Sequence, residues 1–361
     1  MKSTINTPSG SINIKSTIRA KKVLKAELET GQCSRNILKL CKGMDPTAAI
    51  PYIERIEHSS HIHHSICFCS IIEASISFNA TNTLSDIRTV LLEKERIYSH
   101  FLYLNKMCCL SGDKILTNIT ELAINKIIDE LEEISGHRTY STLNSPKNIN
   151  HNFSIGKLMY SDSCNSELLE LTKHIGSLIN KNKSLRYIYS NKGLLDPKTT
   201  ELTGPFSWHL DNGYDSRLTN PYLSYNDPDV VCELSKKNII VANDVYMRII
   251  AIIEDIKCST KIIKILLNKI KDNGTSKMAC PREEAITKIP KGLYQSQIES
   301  PRGKLDISLE INDNSNIEKI TVNTPSEKNI KATSECLKHT PEHLIEHVFQ
   351  SMYISPMEID K

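Results

Sequence analysis

The first thirty residues alternate apolar and polar positions, as in INIKSTIRAKKVLKAELETG, and the alternation ends at Gly31. A period of two sends successive side chains to opposite faces, so this stretch predicts a short β-hairpin or small sheet with Lys and Arg outward. From Ile62 the period changes. HIHHSICFCSIIEASIS, LSDIRTVLLEKERIYSHFLYLNKMCCL and ILTNITELAINKIIDELEEIS carry apolar residues three and four apart. That spacing predicts three long helices, with Thr83 or Ser85 capping the second.

Polar, Asn- and Ser-rich sequence from Ser135 to Phe153 predicts a loop, and SELLELTKHIGSLINKN a further helix. The stretch LTGPFSWHLDNGYDSRLTNPYLSYNDPD is too irregular for regular structure and too aromatic for a passive linker, so it is expected to carry function. NDVYMRIIAIIEDIKCSTKIIKILLNKIK predicts a long helix stopped at Asn273-Gly274. Alternation returns in KLDISLEINDN and IEKITVNTP, joined by a turn at Asp313-Asn314, before a short helix around EHLIEHVFQSM. The expected fold is α+β: a central bundle of long helices between small N-terminal and C-terminal antiparallel β regions. The expected boundaries are 1–60, 61–275 (holding the aromatic loop 202–229) and 276–361.

Composition adds limits. The 361 residues are 39% hydrophobic and 24% charged, enough for a sizeable core. Forty-five Lys and Arg against 42 Asp and Glu leave +3, too balanced for a protein working mainly on nucleic acid or an anionic membrane. Eleven cysteines contain no C-x-x-C pair, which excludes a zinc ribbon, a ferredoxin cluster or a thioredoxin motif. They are expected to be packing residues. MKSTINTPSGSINIKS has no apolar signal region, and no run reaches the roughly 18 apolar residues of a membrane span. Reduced thiols in a cytoplasmic protein are the expectation.

Several clusters admit two readings. His58, His61, His63 and His64 are either a metal or proton-transfer cluster or a polar, His-rich helix start, and the latter is preferred. His339, His343 and His347 fall four apart on one helical face, expected to be solvated rather than metal-binding. Cys67 and Cys69 read as core residues, Trp208 as a packing anchor, and Pro301-Arg302-Gly303 as the ordinary start of a strand.

The order of the motifs is more telling. IPYIERI-EHSS-HIHHSICFCSIIE, LLEKERIYSHFLYL, SGHR, LTGP, YDSRLTNPYLSYND, DVYMRIIAIIEDIKCSTKII, IESPRGKLDISLEIN and SPMEIDK run in register with one family over residues 5–361. The chain resembles the 49-kDa subunit of respiratory complex I (the D subunit of bacterial NADH-quinone oxidoreductase) and the large subunit of nickel–iron hydrogenases. Its pattern is closest to the energy-converting, membrane-bound hydrogenase branch. The hydrogenases hold nickel and iron through two C-x-x-C pairs, since soft thiolates suit those metals. The resemblance places the first pair at Glu57 and Ser60. The second falls at Met357 and Asp360 if aligned on the proline, or at Ser355 and Glu358 if aligned on the chain end. All four thiolates are missing, and the proton-relaying glutamate of a neighbouring motif is Leu38.

Complex I uses the vacated cavity for a quinone headgroup, between a His and a Tyr whose positions here are Thr7 and His58. Arg302 of the P-R-G motif is retained, as are Glu73, Glu95, Arg96, Ser99 and His100, the last four expected mainly to pack the bundle. The resemblance therefore implies a subunit of a membrane-associated electron-transfer complex without its own nickel–iron centre, with His58 and Arg302 as candidate cavity residues. It implies partners in a small iron–sulfur subunit and membrane subunits, a quinone as the possible ligand, and a position on the inner face of the cell membrane.

Overall fold

A computed structural model describes residues 2–149, 155–195, 215–220, 222–236, 243–272 and 288–361. The N-terminal alternation folds as a three-stranded antiparallel sheet, β1 (Lys2–Thr7), β2 (Gly10–Arg19) and β3 (Lys22–Glu29), in the order β1-β2-β3. Ile5, Ile12, Ile14, Val23 and Ala26 supply its buried face, which is the consequence of the period-two pattern. Two helices not anticipated from the pattern follow, α1 (Ile37–Cys41) and α2 (Pro46–Glu54), the second capped by the Asp45 carboxylate.

Three helices were anticipated next and three are present: α3 (His61–Ser75), α4 (Asn82–Ser111) and α5 (Lys114–Ser135). The cap of α4 is Thr81, whose hydroxyl accepts from Leu84 N at 3.3 Å, and not Thr83 or Ser85. The helix starts earlier than its apolar period because its first turn is polar and half exposed. The expected loop after Ser135 contains a minimal hairpin, β4 (Asn144–Ser145) with β5 (Asn148–Ile149). Beyond it run α6 (Ile155–Lys181), α7 (Lys183–Tyr189), α8 (Pro228–Ser235) and α9 (Val245–Asp272). Helix α4 packs on α5 and α9, and α6 closes the group against α5 and α9.

The C-terminal sheet has one strand more than anticipated: β6 (Gly292–Ser300), β7 (Gly303–Ile311) and β8 (Ile317–Asn323). Pro301-Arg302-Gly303 does lead into a strand, β7, and Pro301-Arg302 is also the two-residue turn of a hairpin, with Ser300 paired to Gly303 and Gly303 at φ +135. The β7–β8 connection is the five residues 312–316, and the expected turn at Asp313-Asn314 lies within it, closed by Ser315 N donating to the Asn312 carbonyl at 3.1 Å. Then come α10 (Pro325–Cys336), also unanticipated, α11 (Ile345–Ser351) and α12 (Pro356–Ile359). Helix α3 lies across β6 and β7, while α12 lies between α10 and β2.

The three C-terminal histidines do not share a helix. His339 sits at φ +61 before a 3-10 turn at Glu342–Leu344, and Pro341 breaks the run. His347 is half buried, its Nε2 3.0 Å from the Leu110 carbonyl. Cys41, Cys67, Cys69, Cys108, Cys164, Cys258 and Cys336 are buried as packing residues, but Cys109 and Cys232 are exposed, which corrects the expectation for all of them. Trp208, Asn273-Gly274, Cys280 and most of the aromatic loop lie outside the described residues. No helix of the described residues is long and apolar enough to cross a membrane.

Candidate functional site

The β6–β7 turn pushes Arg302 into the protein, where it is 5% exposed. Its Nη2 donates to Ser59 Oγ at 2.8 Å and lies 3.7 Å from Glu57 Oε1, while Nη1 lies 3.5 Å from Glu358 Oε1. The guanidinium also stands 5.0 Å over the Tyr353 ring. Two chain segments remote in sequence, 57–59 and 353–358, thus meet at one cation.

Glu57 and Ser60 come from the segment between α2 and α3, pinned from outside by Arg35, which donates to the carbonyls of Arg55 and Ile56. Glu57 accepts from Ser9 Oγ at 2.9 Å, from Ser59 Oγ at 2.9 Å and from Ser355 Oγ. Glu358 accepts from Ser60 Oγ at 3.3 Å and from Ser326 Oγ. Burial alone would raise the Glu57 carboxyl, but Arg302, His58 and Ser355 outweigh it and hold the group well below the usual carboxylate range.

The geometry separates the two tail alignments. Ser355 and Glu358 converge with Glu57 and Ser60 on Arg302, each serine hydrogen-bonded to the opposite carboxylate. Met357 is half buried, and Asp360 points elsewhere to accept from Gly31 N at 2.6 Å and Cys33 N at 2.9 Å. These residues do not fit a nickel–iron centre: there is no thiolate among them, and the guanidinium occupies the middle of the carboxylate–serine set. Among the described residues no group of three or more His, Cys, Asp or Glu is arranged to hold a metal ion.

Beside Arg302 lies a cavity of about 30 Å³, lined by Thr7, Ser9, Ser59, Ser99, Lys106 and Tyr353 among others. That is room for about two waters. His58 is not part of the lining; its Nδ1 turns to Glu57 Oε1 at 3.1 Å. Thr7 and His58 therefore do not face each other across one cavity as anticipated, because the Glu57 carboxylate holds the imidazole on its own side.

The histidine cluster opens α3, as preferred from the sequence, and that helix start is buried. His61, His63 and His64 are buried, and the carboxylate that organises the first two is Glu95 of α4. Its oxygens accept from Ile62 N at 2.8 Å and His63 N at 2.9 Å, capping α3, and lie 2.8 Å from His61 Nδ1 and 2.6 Å from His63 Nδ1. Burial lowers His61, but Glu95 prevails and raises it, whereas burial wins at His63 and pushes it down to about 4.

Glu95, Arg96, Ser99 and His100 do more than pack. Arg96 donates to the carbonyls of Glu299 and Ser300 at 2.6 and 3.1 Å, anchoring the strand end that carries Arg302. His100 Nε2 lies 2.8 Å from Asp255 Oδ2, and its Nδ1 3.0 Å from Tyr353 Oη. Asp255 in turn accepts from Arg217, which also reaches Glu93 and Asp215. Glu73 is removed from this centre, in a bidentate pair with Arg88 at 2.7 and 2.9 Å, and Leu38 packs against the core. Sequence reasoning missed Tyr353, Asp255, Arg217 and Ser326. Only Arg217, inside the aromatic loop, carried a signal.

Residues 123–361 match the family described as "Respiratory-chain NADH dehydrogenase, 49 Kd subunit". The NADH-quinone oxidoreductase D subunit of Helicobacter pylori (strain Shi470) is 23% identical, the match taking in 91% of this chain and 85% of the relative. One of the fused C/D subunits of the same enzyme from Aquifex aeolicus (strain VF5) is 22% identical over 70% of this chain, and the fused C/D subunit from Phocaeicola vulgatus 21% identical over 83%. The chain spans 43% and 57% of the length of those two relatives. In three dimensions it is similar to a chain of the membrane-bound sulfane sulfur reductase, an archaeal respiratory membrane complex. The TM-score is 0.87 at 18% identity, covering 97% of this chain and 94% of that one. With two thirds of its length matched and the motifs in order, this chain belongs to the respiratory-chain NADH dehydrogenase 49-kDa subunit family.

Proposed function

We propose that the chain is a metal-free, cavity-bearing subunit of a membrane-attached electron-transfer complex. In this reading it packs against an iron–sulfur subunit and, through membrane subunits, holds a position on the inner membrane face. The observation that carries it is the crossed pairing of Glu57 with Ser355 and Ser60 with Glu358 around Arg302. A guanidinium balanced by two carboxylates fills the place where thiolates would hold metal, so the chemistry left to the site is polar binding and proton exchange.

The ligand of the neighbouring cavity, in this reading, is a quinone headgroup or another two-electron carrier whose oxygens accept hydrogen bonds from Arg302, Ser59 or Thr7. The cavity in its present form is too small for one, so access requires a wall to move. The wall formed by Thr7, Pro8 and Ser9 is the β1–β2 turn, tied inward by Ser9 to Glu57 and by Gln350 Nε2 to the Asn6 carbonyl at 3.0 Å.

Elemental analysis of the complex purified from nickel-supplemented cells tests the first statement: no stoichiometric nickel is expected, and one nickel per chain overturns it. Quinone-dependent electron transfer tests the second. Thr7→Trp should raise the KM for a quinone or abolish turnover while assembly persists, and His58→Ala should leave the rate near that of the wild type. An assembled complex that moves electrons without any quinone response would favour a scaffold role.

A further inference from the structure

We propose that Ser99, Tyr353, His100 and Asp255 form a proton-transfer chain whose outer end is the Arg302 cavity and whose inner end is the His100 imidazole. It rests on the reading that this cavity takes a two-electron carrier, and adds the route by which the carrier's proton moves.

Each link is a hydrogen bond between groups able to exchange a proton. Tyr353 Oη lies 2.7 Å from Ser99 Oγ and 3.0 Å from His100 Nδ1, and His100 Nε2 lies 2.8 Å from Asp255 Oδ2. Ser99 reaches Ser59 Oγ at 3.5 Å, and Ser59, Ser99 and Tyr353 all line the cavity. An ionised Asp255 only accepts, so it fixes a proton on Nε2 and leaves Nδ1 as the exchanging atom. With His100 neutral, Nδ1 accepts and both hydroxyls point inward. With His100 charged, Nδ1 donates and both point outward to the cavity. The two arrangements differ by one proton. Asp255 cannot pass it further, since its other oxygen is held by Arg217, which does not release protons at accessible pH.

Written for oxidation of a bound quinol, one O–H bond of the quinol breaks and its proton joins Ser99 Oγ. The Ser99 proton moves to the Tyr353 oxygen, and the Tyr353 proton to His100 Nδ1, giving imidazolium. The two electrons leave one after the other to the iron–sulfur cluster of the partner subunit, and after the carrier departs the imidazolium returns its proton to water along the same links. The second proton goes to water at the cavity mouth, where the Lys106 side chain is 27% exposed. Reduction of a quinone runs the same steps in reverse. The charges facing His100 are Asp255 from α9, Arg96 on its own helix and Arg217 from a 3-10 turn at Ser216–Thr219, with the Tyr353 hydroxyl opposite. Burial, Arg96 and Arg217 outweigh Asp255 and lower its pKa, so the resting imidazole is the acceptor.

Tyr353→Phe keeps the ring over Arg302 and cuts the chain. In the full chain with nitrogen-15-labelled histidines, with His100 assigned by His100→Gln, this variant should shift the Nδ1 resonance of His100 while Nε2 stays bonded to Asp255. An unmoved Nδ1 overturns the proposal whatever the carrier is. In the assembled complex, Tyr353→Phe should lower kcat for the carrier at least about tenfold with KM near unchanged and alter the pH profile. A wild-type kcat and pH profile in that variant also overturns it. A wild-type complex without any carrier turnover, alongside the Nδ1 shift, removes the carrier reading and leaves the hydrogen-bonded chain standing.

Discussion

Ser60 Oγ and Glu358 Oε1 meet at 3.3 Å although 298 positions separate them in the chain. A second pair on the other diagonal joins Ser355 to Glu57, and Arg302 neutralises both carboxylates. An ion cluster thus ties the segment before α3 to the C-terminal tail.

Removing the cation from that cluster should be severe. Arg302→Met leaves Glu57 and Glu358 buried near each other with only the His58 imidazole beside Glu57 to offset them, a defect that costs about 3–5 kcal/mol. The Tm should fall accordingly in thermal or urea denaturation. Adding Glu57→Gln and Glu358→Gln to Arg302→Met should recover most of the loss, since no buried charge then remains unpaired. If Arg302→Met alone unfolds at the wild-type midpoint, charge does not hold the site together.

The placement of the tail predicts a contrast between two neighbouring residues. Asp360 accepts from two backbone amides, Gly31 N and Cys33 N, so Asp360→Ala strips a charged acceptor from both and should cost about 1–3 kcal/mol. Met357 is half buried and has no charged or hydrogen-bonding group to contribute to the cluster, so Met357→Ala should cost under about 1 kcal/mol. Equal losses in urea midpoints would undo the assignment of Ser355 and Glu358 to the site.

The turn that brings Thr7 and Ser9 to the cavity depends on Gly10. Its φ is +116, and an added Cβ would come 2.4 Å from Cys33 Sγ. Gly10→Ala should therefore destabilise by about 1–2 kcal/mol through backbone strain alone, and Cys33→Ala in the same chain should relieve only the steric part. Chemical denaturation of the single and double variants separates the two contributions. A neutral Gly10→Ala would mean that the turn can change its conformation freely.

Much of the fold was legible because its helices and two sheets keep their periods. Helices α3, α4, α5 and α9 and strands β2, β7 and β8 stand where apolar spacing puts them. Strand β6 was not legible: as an edge strand with an exposed Leu293 and half-exposed Tyr294, GLYQSQIES lacks a clean alternation. Nor was α10, whose PSEKNIKATSEC is polar and helical chiefly through the Thr324–Glu327 capping box. At the site, the order of motifs marked Glu57, Ser60 and Arg302, but no local pattern could join His100 to Asp255 or Tyr353. Those contacts span 155 and 253 positions and depend on how α4, α9 and the tail pack. The burial of the histidine helix start was hidden for the same reason, since its organising carboxylate lies 32 positions away from His63.

The last prediction concerns a carboxyl at the root of the Arg302 hairpin. Glu299 is fully buried, accepts from Ser216 and sits beside Arg96. Burial pushes its pKa up to about 7 against the opposing pull of Arg96 and Ser216. In the unfolded chain the same carboxyl titrates near about 4.3. As pH rises from about 4.5 the unfolded state loses its proton first, so this group's contribution to stability drains away until the folded pKa is passed. The size of the effect is about 3 kcal/mol between pH 4.5 and 7.5. Glu93, held down to about 2 where Arg217 and Arg96 outweigh its burial, works in the opposite sense and costs stability only as pH falls below about 4.5. Glu299→Gln removes the first effect and keeps the shape. Its stability relative to the wild type should rise from pH 5 to about 7 and level off above that in urea titrations. Parallel curves for the two proteins over that range would show that Glu299 carries its charge in the folded state, and that the hairpin root holds a paired carboxylate in place of a proton.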